Sequence, residues 1–259
     1  TGIVEHCFTT RLGGVSTDIF STMNLSFTRG DEEAAVRENY RRLARALGAE
    51  VGQFVCSDQT HTVNVRRVTA ADAGKGLTRE RDYRDVDGLI TDEPGLVLST
   101  FYADCVPLYL VDPVHRAIGM SHSGWRGTAA RMGAVTLSAM QEAYGTRPED
   151  VVCAVGPSIC RDCYEVSADV ADIFAEEFPG HEQEILAESE KNSVGMAHAD
   201  KKYQLDVWKA HEISILEAGV RKEDLAVTDI CTCCNPKLLF SHRASHGKRG
   251  NLGGFLYLK

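Results

Sequence analysis

The sequence predicts an α+β domain whose helices lie outside its sheets. Short apolar runs follow one another between turn residues from Asp87 to Ser121. Longer segments with apolar residues at helical spacing flank that region, and strict strand–helix alternation is missing. Together these point to mixed or antiparallel sheets rather than a doubly wound parallel one. A chain of 259 residues can bury about three quarters of its unfolded surface. With no internal repeat or low-complexity tract, residues 1–259 are expected to form a single domain.

Ile3 to Thr9 alternates as a strand. Arg11 to Ser16 is a Gly-rich loop, readable as a tight turn or as a backbone cradle for a ligand. Asp31 is placed to cap a helix over Glu33–Leu47, with Val36, Tyr40, Leu43 and Leu47 on one face and Gly48 past its end. Arg37, Arg41, Arg42 and Arg45 form its solvated face. Phe54–Cys56 and Val63–Val68 read as strands on either side of His61, and the polar stretch Ala70–Asp85 as an exposed loop. Strands are then expected at Asp87–Thr91, Leu96–Phe101, Leu108–Val111 and Ala117–Ser121. A helix after Gly127 carries Ala130, Ala134, Leu137, Met140 and Tyr144 on one stripe, and Val151–Val155 is a further strand. A helix capped at Ser167 buries Val170, Ile173, Phe174 and Phe178, and Gly180–Ala199 reads as a surface excursion. Leu205, Trp208, Ile215 and Leu216 mark a helix that stops at Gly219. Strands at Leu225–Ile230, Leu238–Ser241 and Phe255–Leu258 complete the reading.

Composition narrows the function. A net charge of −9 lacks the basic footprint that nucleic acid or an anionic membrane requires, so an anionic substrate needs a local positive pocket. No apolar run reaches the ~18 residues that span a bilayer, and no signal-peptide pattern opens the sequence. The expected location is the cytoplasm. There most of the nine cysteines act as buried free thiols. Cys160-x-x-Cys163 invites a redox or zinc reading but has no second pair at zinc-ribbon distance, and Cys231-Thr-Cys233-Cys234 is more suggestive of metal but has adjacent cysteines and nothing to partner them, so both are read as structural.

The chemistry concentrates between Ala103 and Gly127. Cys105 follows an Asp and precedes Pro107, and His122 ends an apolar run just before Gly124-Trp125-Arg126-Gly127 and a helical pattern. Gln59-Thr60-His61 supplies a second imidazole. One thiol and two imidazoles from separate elements suffice for a zinc with an open fourth position, poised to activate a water. The same residues fit two other chemistries. A Cys–His pair alone can be a nucleophile with its base. Cys with two His and a weak axial group is a blue-copper ligand set, and Met120 lies two residues before His122.

Several further segments fall in a recognisable order. They are His6–Ser16, Asn24-Leu25, Gln59-Thr60-His61, Asp87–Thr91, Ala103–Pro107, His122–Gly127, Gly156–Ile159, Cys163–Val166, Cys231-Thr232 and Phe240–Arg243. With them the chain resembles the family once labelled multicopper polyphenol oxidase or laccase-like, now associated with purine nucleoside phosphorylase and adenosine deaminase activity. The resemblance implies a four-layer α/β/β/α sandwich with mixed sheets, an architecture shared with bacterial deamidating toxins. It implies zinc held by His61, Cys105 and His122, with a purine nucleoside and phosphate as substrates. A copper-dependent polyphenol oxidase and a Cys–His hydrolase or deamidase are the alternatives. Asp104 is the candidate proton shuttle, or else an orienting residue. Arg126, near a helix N-terminus, is the first candidate for the phosphate clamp, with Arg11 and Arg243 behind it. The chain departs from the family pattern at Lys248-Arg249-Gly250-Asn251, and at His211 and Ile215, where amide side chains are expected.

Overall fold

A computed structural model describes residues 2–193 and 195–259. Two mixed sheets lie face to face. The first has the order β1 (Val4–Phe8), β13 (Leu252–Leu258), β5 (Val97–Tyr102), β2 (Phe54–Cys56), with only the β2–β5 pair parallel. The second runs β12 (Leu225–Val227), β8 (Val152–Val155), β6 (Val106–Asp112), β7 (Ala117–Ser123), β4 (Gly88–Thr91), β3 (Val65–Arg67), parallel only at its two edges.

Three cores separate four layers. Helix α1 (Glu33–Leu47) packs Val36, Tyr40 and Leu43 on Phe54, Val97 and Phe255 of the first sheet. Leu98, Leu256 and Leu258 meet Tyr109, Val111, Ile118 and Met120 between the sheets. On the far side Leu108 and Leu110 meet Leu137, Met140 and Ile215 of α3 (Met132–Tyr144) and α6 (Val207–Glu217). Both central strands are therefore buried on both faces, so β6 and β7 read as continuous apolar runs. Each fully buried Leu or Phe contributes ~1.5–3 kcal/mol. The expected α/β/β/α sandwich is the observed one.

Period-2 alternation along β7 sets the site. Ala117 and Ser121 face α3, where the Ser121 and Thr136 hydroxyls lie 2.6 Å apart, while Ile118 and Met120 face the other sheet. His122 continues the second series, so its imidazole emerges at the open end of the inter-sheet layer, 5.6 Å from the Tyr102 ring.

Several elements differ from expectation for identifiable reasons. The helix expected after Gly127 begins at Trp125 and breaks into α2 (Trp125–Ala129) and α3, because Arg131 takes a left-handed conformation at φ 56°. The N-cap of α1 is Glu32, since the Asp31 carboxylate instead accepts from the Ser16 hydroxyl, the Asn24 amide and the Glu32 N–H. Gly180–Ala199 is not a plain excursion. It carries α5 (Glu182–Ile185), whose Ile185 is fully buried, and β10 (Leu186–Glu188). Strand β10 joins β11 (Lys202–Leu205) and β9 (Glu165–Ser167) in a small third sheet beside α4 (Ala168–Glu177), which starts at Ser167 as expected. Leu238–Ser241 buries Leu239 and Phe240 but forms turns rather than a strand. The Gly13-Gly14 loop is a tight turn: a Cβ on Gly14 would lie 2.1 Å from the Thr22 carbonyl oxygen. Among the described residues no helix is long and apolar enough to cross a membrane.

Candidate metal centre

Strand pairing sets Pro107 opposite His122, so Cys105 stands at the same sheet end, next to Gly124. His61 arrives from the loop between β2 and β3 in a left-handed conformation, φ 66°. The three donor atoms lie within 4.8 Å of one another, with Cys105 Sγ 3.9 Å from His61 Nε2. Gly124 leaves room for them: a Cβ there would lie 2.7 Å from His61 Cδ2 and 3.3 Å from the sulfur. The cluster grades from exposed His61 through half-buried Cys105 to buried His122, so one side is open to incoming molecules.

Asp87 organises the group. It is fully buried at the start of β4. Its Oδ1 accepts from His122 Nδ1 at 2.7 Å and from the His61 N–H at 3.2 Å. Its Oδ2 accepts from the N–H groups of Thr60 and Thr62 and from the Thr62 hydroxyl at 2.9–3.1 Å. One carboxylate thus fixes the His61 loop and the His122 tautomer that leaves Nε2 free for a ligand. Burial opposes ionisation of Asp87, yet the His122 hydrogen bond and the ring of N–H donors hold it below the usual carboxylate range. Burial likewise opposes the Cys105 thiolate, but the adjoining His122 and His61 imidazoles bring the thiol well below its ordinary value. His122 moves the other way, raised by Cys105 and Asp87 against its own desolvation. A ready thiolate with two imidazoles is a donor set that suits zinc. Met120 shares the strand face of His122 but is fully buried, and its Cε points at Gly254 of β13.

The cluster opens into a cavity of about 340 Å³ whose wall includes Phe27, Phe101, Tyr102, Arg29, Arg81 and Arg249. Arg249 is the unusual member. It is only 9% exposed and forms no ion pair with a carboxylate among the described residues. One terminal nitrogen bonds the Gly250 carbonyl and the Asn251 side chain, while Nε has no partner. Burial, helped by the nearby Arg29 charge, pushes Arg249 down to about 10. Arg81 by contrast is neutralised by Asp58 at 2.6 Å.

The other sequence candidates lie outside this cavity wall. Arg126 is exposed and stacks on Trp125, 4.3 Å from the ring. Arg11 binds the carbonyls of Ser21 and Pro236 and covers Phe240. Arg243 binds the Glu165 carbonyl and covers Tyr164. Asp104, at φ 92°, accepts from the Thr232 hydroxyl and the Arg243 N–H, both at 2.7 Å, while its carbonyl accepts from Ile159 N–H. Both its carboxylate oxygens are thereby engaged behind Cys105. Asp87 and Arg249 were not singled out by sequence. Asp87 read as the first residue of a strand, and Arg249 fell within Lys248–Asn251, a departure from the family pattern. His211 is buried behind the cluster, with Nε2 3.1 Å from the Thr128 hydroxyl, which in turn donates to the Gly124 carbonyl.

Comparison with known proteins places this geometry among relatives. The profile of the family described as multi-copper polyphenol oxidoreductase laccase matches residues 5–259. The chain is 33% identical over 256 residues to purine nucleoside phosphorylase YlmD of Bacillus subtilis, covering 97% of this chain and 87% of that one. It is 30% identical over 245 residues to adenosine deaminase RL5 from an unknown prokaryotic organism, covering 93% and 88%. The crystal structure of the hypothetical protein YfiH of Bacillus licheniformis superimposes with a TM-score of 0.90 at 32% identity, covering 99% of this chain and 93% of that one.

Proposed function

The chain belongs to the multi-copper polyphenol oxidoreductase laccase family, and from that premise we propose that it is a zinc-dependent purine nucleoside phosphorylase that also deaminates adenosine. The names of its relatives support both activities. The observation that carries the phosphorylase reading is Arg249, a buried guanidinium with no carboxylate paired to it among the described residues, on the same cavity wall as His61, Cys105 and His122. An uncompensated buried cation calls for an anionic partner, and phosphate fits.

His61, Cys105 and His122 would hold the zinc, which would supply a Lewis acid to the cavity. Arg249, assisted by Arg29, binds phosphate and sets one of its oxygens against the anomeric carbon. That oxygen forms the new C–O bond as the glycosidic C–N bond breaks, and the electron pair leaves with the purine. Positive charge developing on the sugar is met by the phosphate that Arg249 positions. Phe27 and Phe101 offer apolar ring surface to the base and narrow the access of water. Asp87 holds the His122 proton at Nδ1, and Asp104 fixes the backbone that presents Cys105 rather than shuttling a proton.

Adenosine with phosphate should yield adenine and ribose 1-phosphate, with inosine as a second product. Omitting phosphate should abolish adenine and leave inosine. Equal adenine yields without phosphate, or identical products from wild type and Cys105→Ala, would overturn the proposal. One geometric feature favours a second reading: Cys105, His122 and Asp87 also form a Cys–His–carboxylate chain. Under that reading Cys105 would be alkylated as readily before chelator treatment as after it, whereas a zinc-bound sulfur is protected.

A further inference from the structure

The two cysteine groups that sequence reading left as separate structural thiols converge in space. Cys231-Thr-Cys-Cys234 is itself a C-x-x-C pair, obscured by the extra Cys233, and it meets Cys160-x-x-Cys163 from the other side of the chain. The sulfurs of Cys160, Cys163, Cys231 and Cys234 all lie within 4.8 Å of one another, and Cys163 Sγ is 3.4 Å from Cys234 Sγ. A tetrahedral zinc with ~2.3 Å Zn–S bonds sets its sulfurs about 3.8 Å apart, inside that observed range.

The backbone is shaped for thiolates. The N–H groups of Cys160 and Cys234 point at Cys231 Sγ from 3.3 and 3.4 Å. The two chain segments are joined by a parallel bridge between Ser158 and Cys231, with Thr232 N–H bound to the Ser158 carbonyl at 3.0 Å. Each pair sits in a tight turn: Cys163 N–H reaches the Cys160 carbonyl, and the Asn235 side chain binds the Cys231 carbonyl. Four thiols so close have little other use for these donors, and four thiolates would repel one another without a cation among them.

We propose that Cys160, Cys163, Cys231 and Cys234 bind a structural zinc ion, separate from the His61–Cys105–His122 group. Four protein ligands close the coordination sphere, so this ion binds no substrate. On binding, the thiol protons are released and four Zn–S bonds form, with no change of oxidation state. The ion ties the segment through Ser158 and Ile159 to the segment through Thr232. Ile159 and Thr232 both grip Asp104, the residue before Cys105. The staple thus steadies the ledge that carries the candidate catalytic sulfur. It does not depend on the functional reading above, since its ligands are a different set.

Zinc per chain measured in the double variant His61→Ala/Cys105→Ala isolates this site, because the candidate catalytic ligands are gone. One equivalent should remain, persist in the further variant Cys233→Ser, and vanish with Cys160→Ser/Cys234→Ser. Should that last variant fail to fold, alkylation of the folded double variant gives an independent reading: the four cysteines should react only after chelator. Cobalt substitution of the same protein should give the intense absorption of a tetrahedral tetrathiolate. A folded double variant with no bound zinc would overturn the proposal. So would an intact mass short by two or four hydrogens, which marks disulfides, or a visible chromophore with acid-labile sulfide, which marks an iron–sulfur cluster.

Discussion

Replacing Asp87 with asparagine keeps the shape of the side chain and removes one acceptor. If the amide nitrogen takes the Oδ2 position, it faces the N–H groups of Thr60 and Thr62, which in the wild type donate 3.1 and 2.9 Å bonds to that oxygen. Two buried donors are then orphaned, at about 1–3 kcal/mol each. If it takes the Oδ1 position, it faces His61 N–H and His122 Nδ1. His122 must then move its proton to Nε2, the nitrogen needed for the metal. Either outcome damages the centre. We expect Asp87→Asn to weaken zinc binding by about 10–100-fold and to destabilise the metal-free protein by about 2–6 kcal/mol. Competition with a chromophoric chelator reads the first, and denaturant unfolding in excess chelator reads the second. Wild-type affinity together with an unchanged unfolding midpoint would refute the role given to this carboxylate.

Arg249→Gln should raise the KM for phosphate by about 10-fold or more, the loss of a charged hydrogen bond worth ~1.5–3 kcal/mol. It should leave phosphate-independent conversion of adenosine to inosine near wild type in the same steady-state assay. Gly124→Ala inserts a methyl 2.7 Å from His61 Cδ2, so zinc affinity should fall at least 10-fold while far-UV circular dichroism is retained. His211 contributes a pH dependence of stability. Burial depresses it to about 3, so between that value and its ordinary ~6.5 the unfolded chain binds the extra proton. Its contribution is complete above pH ~6.5 and falls by ~1.4 kcal/mol per unit of acidification, about 2 kcal/mol by pH 5. His211→Leu should flatten the stability profile between pH 5 and 7, measured by urea unfolding.

Legibility followed the range over which each signal acts. α1 and α4 were readable because each buries one face at helical period, and β6 and β7 because burial on both faces makes them short continuous apolar runs. The His61–Cys105–His122 group was readable because reactive side chains stood at element ends. Arg131 was not, since one left-handed residue that splits a helix leaves the apolar stripe intact. Leu238–Ser241 was misassigned because buried Leu239 and Phe240 mimic a strand, while the backbone of Leu238 and Leu239 bonds Asn235 and that of Leu238 also bonds Arg11. Asp87 matters through His61, 26 positions away, and Arg249 through a cavity wall it shares with residues far off in the chain, and no local pattern reports such distances. The cysteine pairs failed for the same reason: each looks unpartnered until the fold brings residues 71 apart into contact.

The most direct test of the central claim is anomalous diffraction from crystals of the protein purified without chelator, recorded on both sides of the zinc edge. The account predicts a zinc peak bonded to His61 Nε2, Cys105 Sγ and His122 Nε2, with its remaining coordination position open toward Arg249. Full-occupancy copper at those three atoms, or a Cys105 sulfur free of metal and bonded covalently to a substrate fragment, would contradict it.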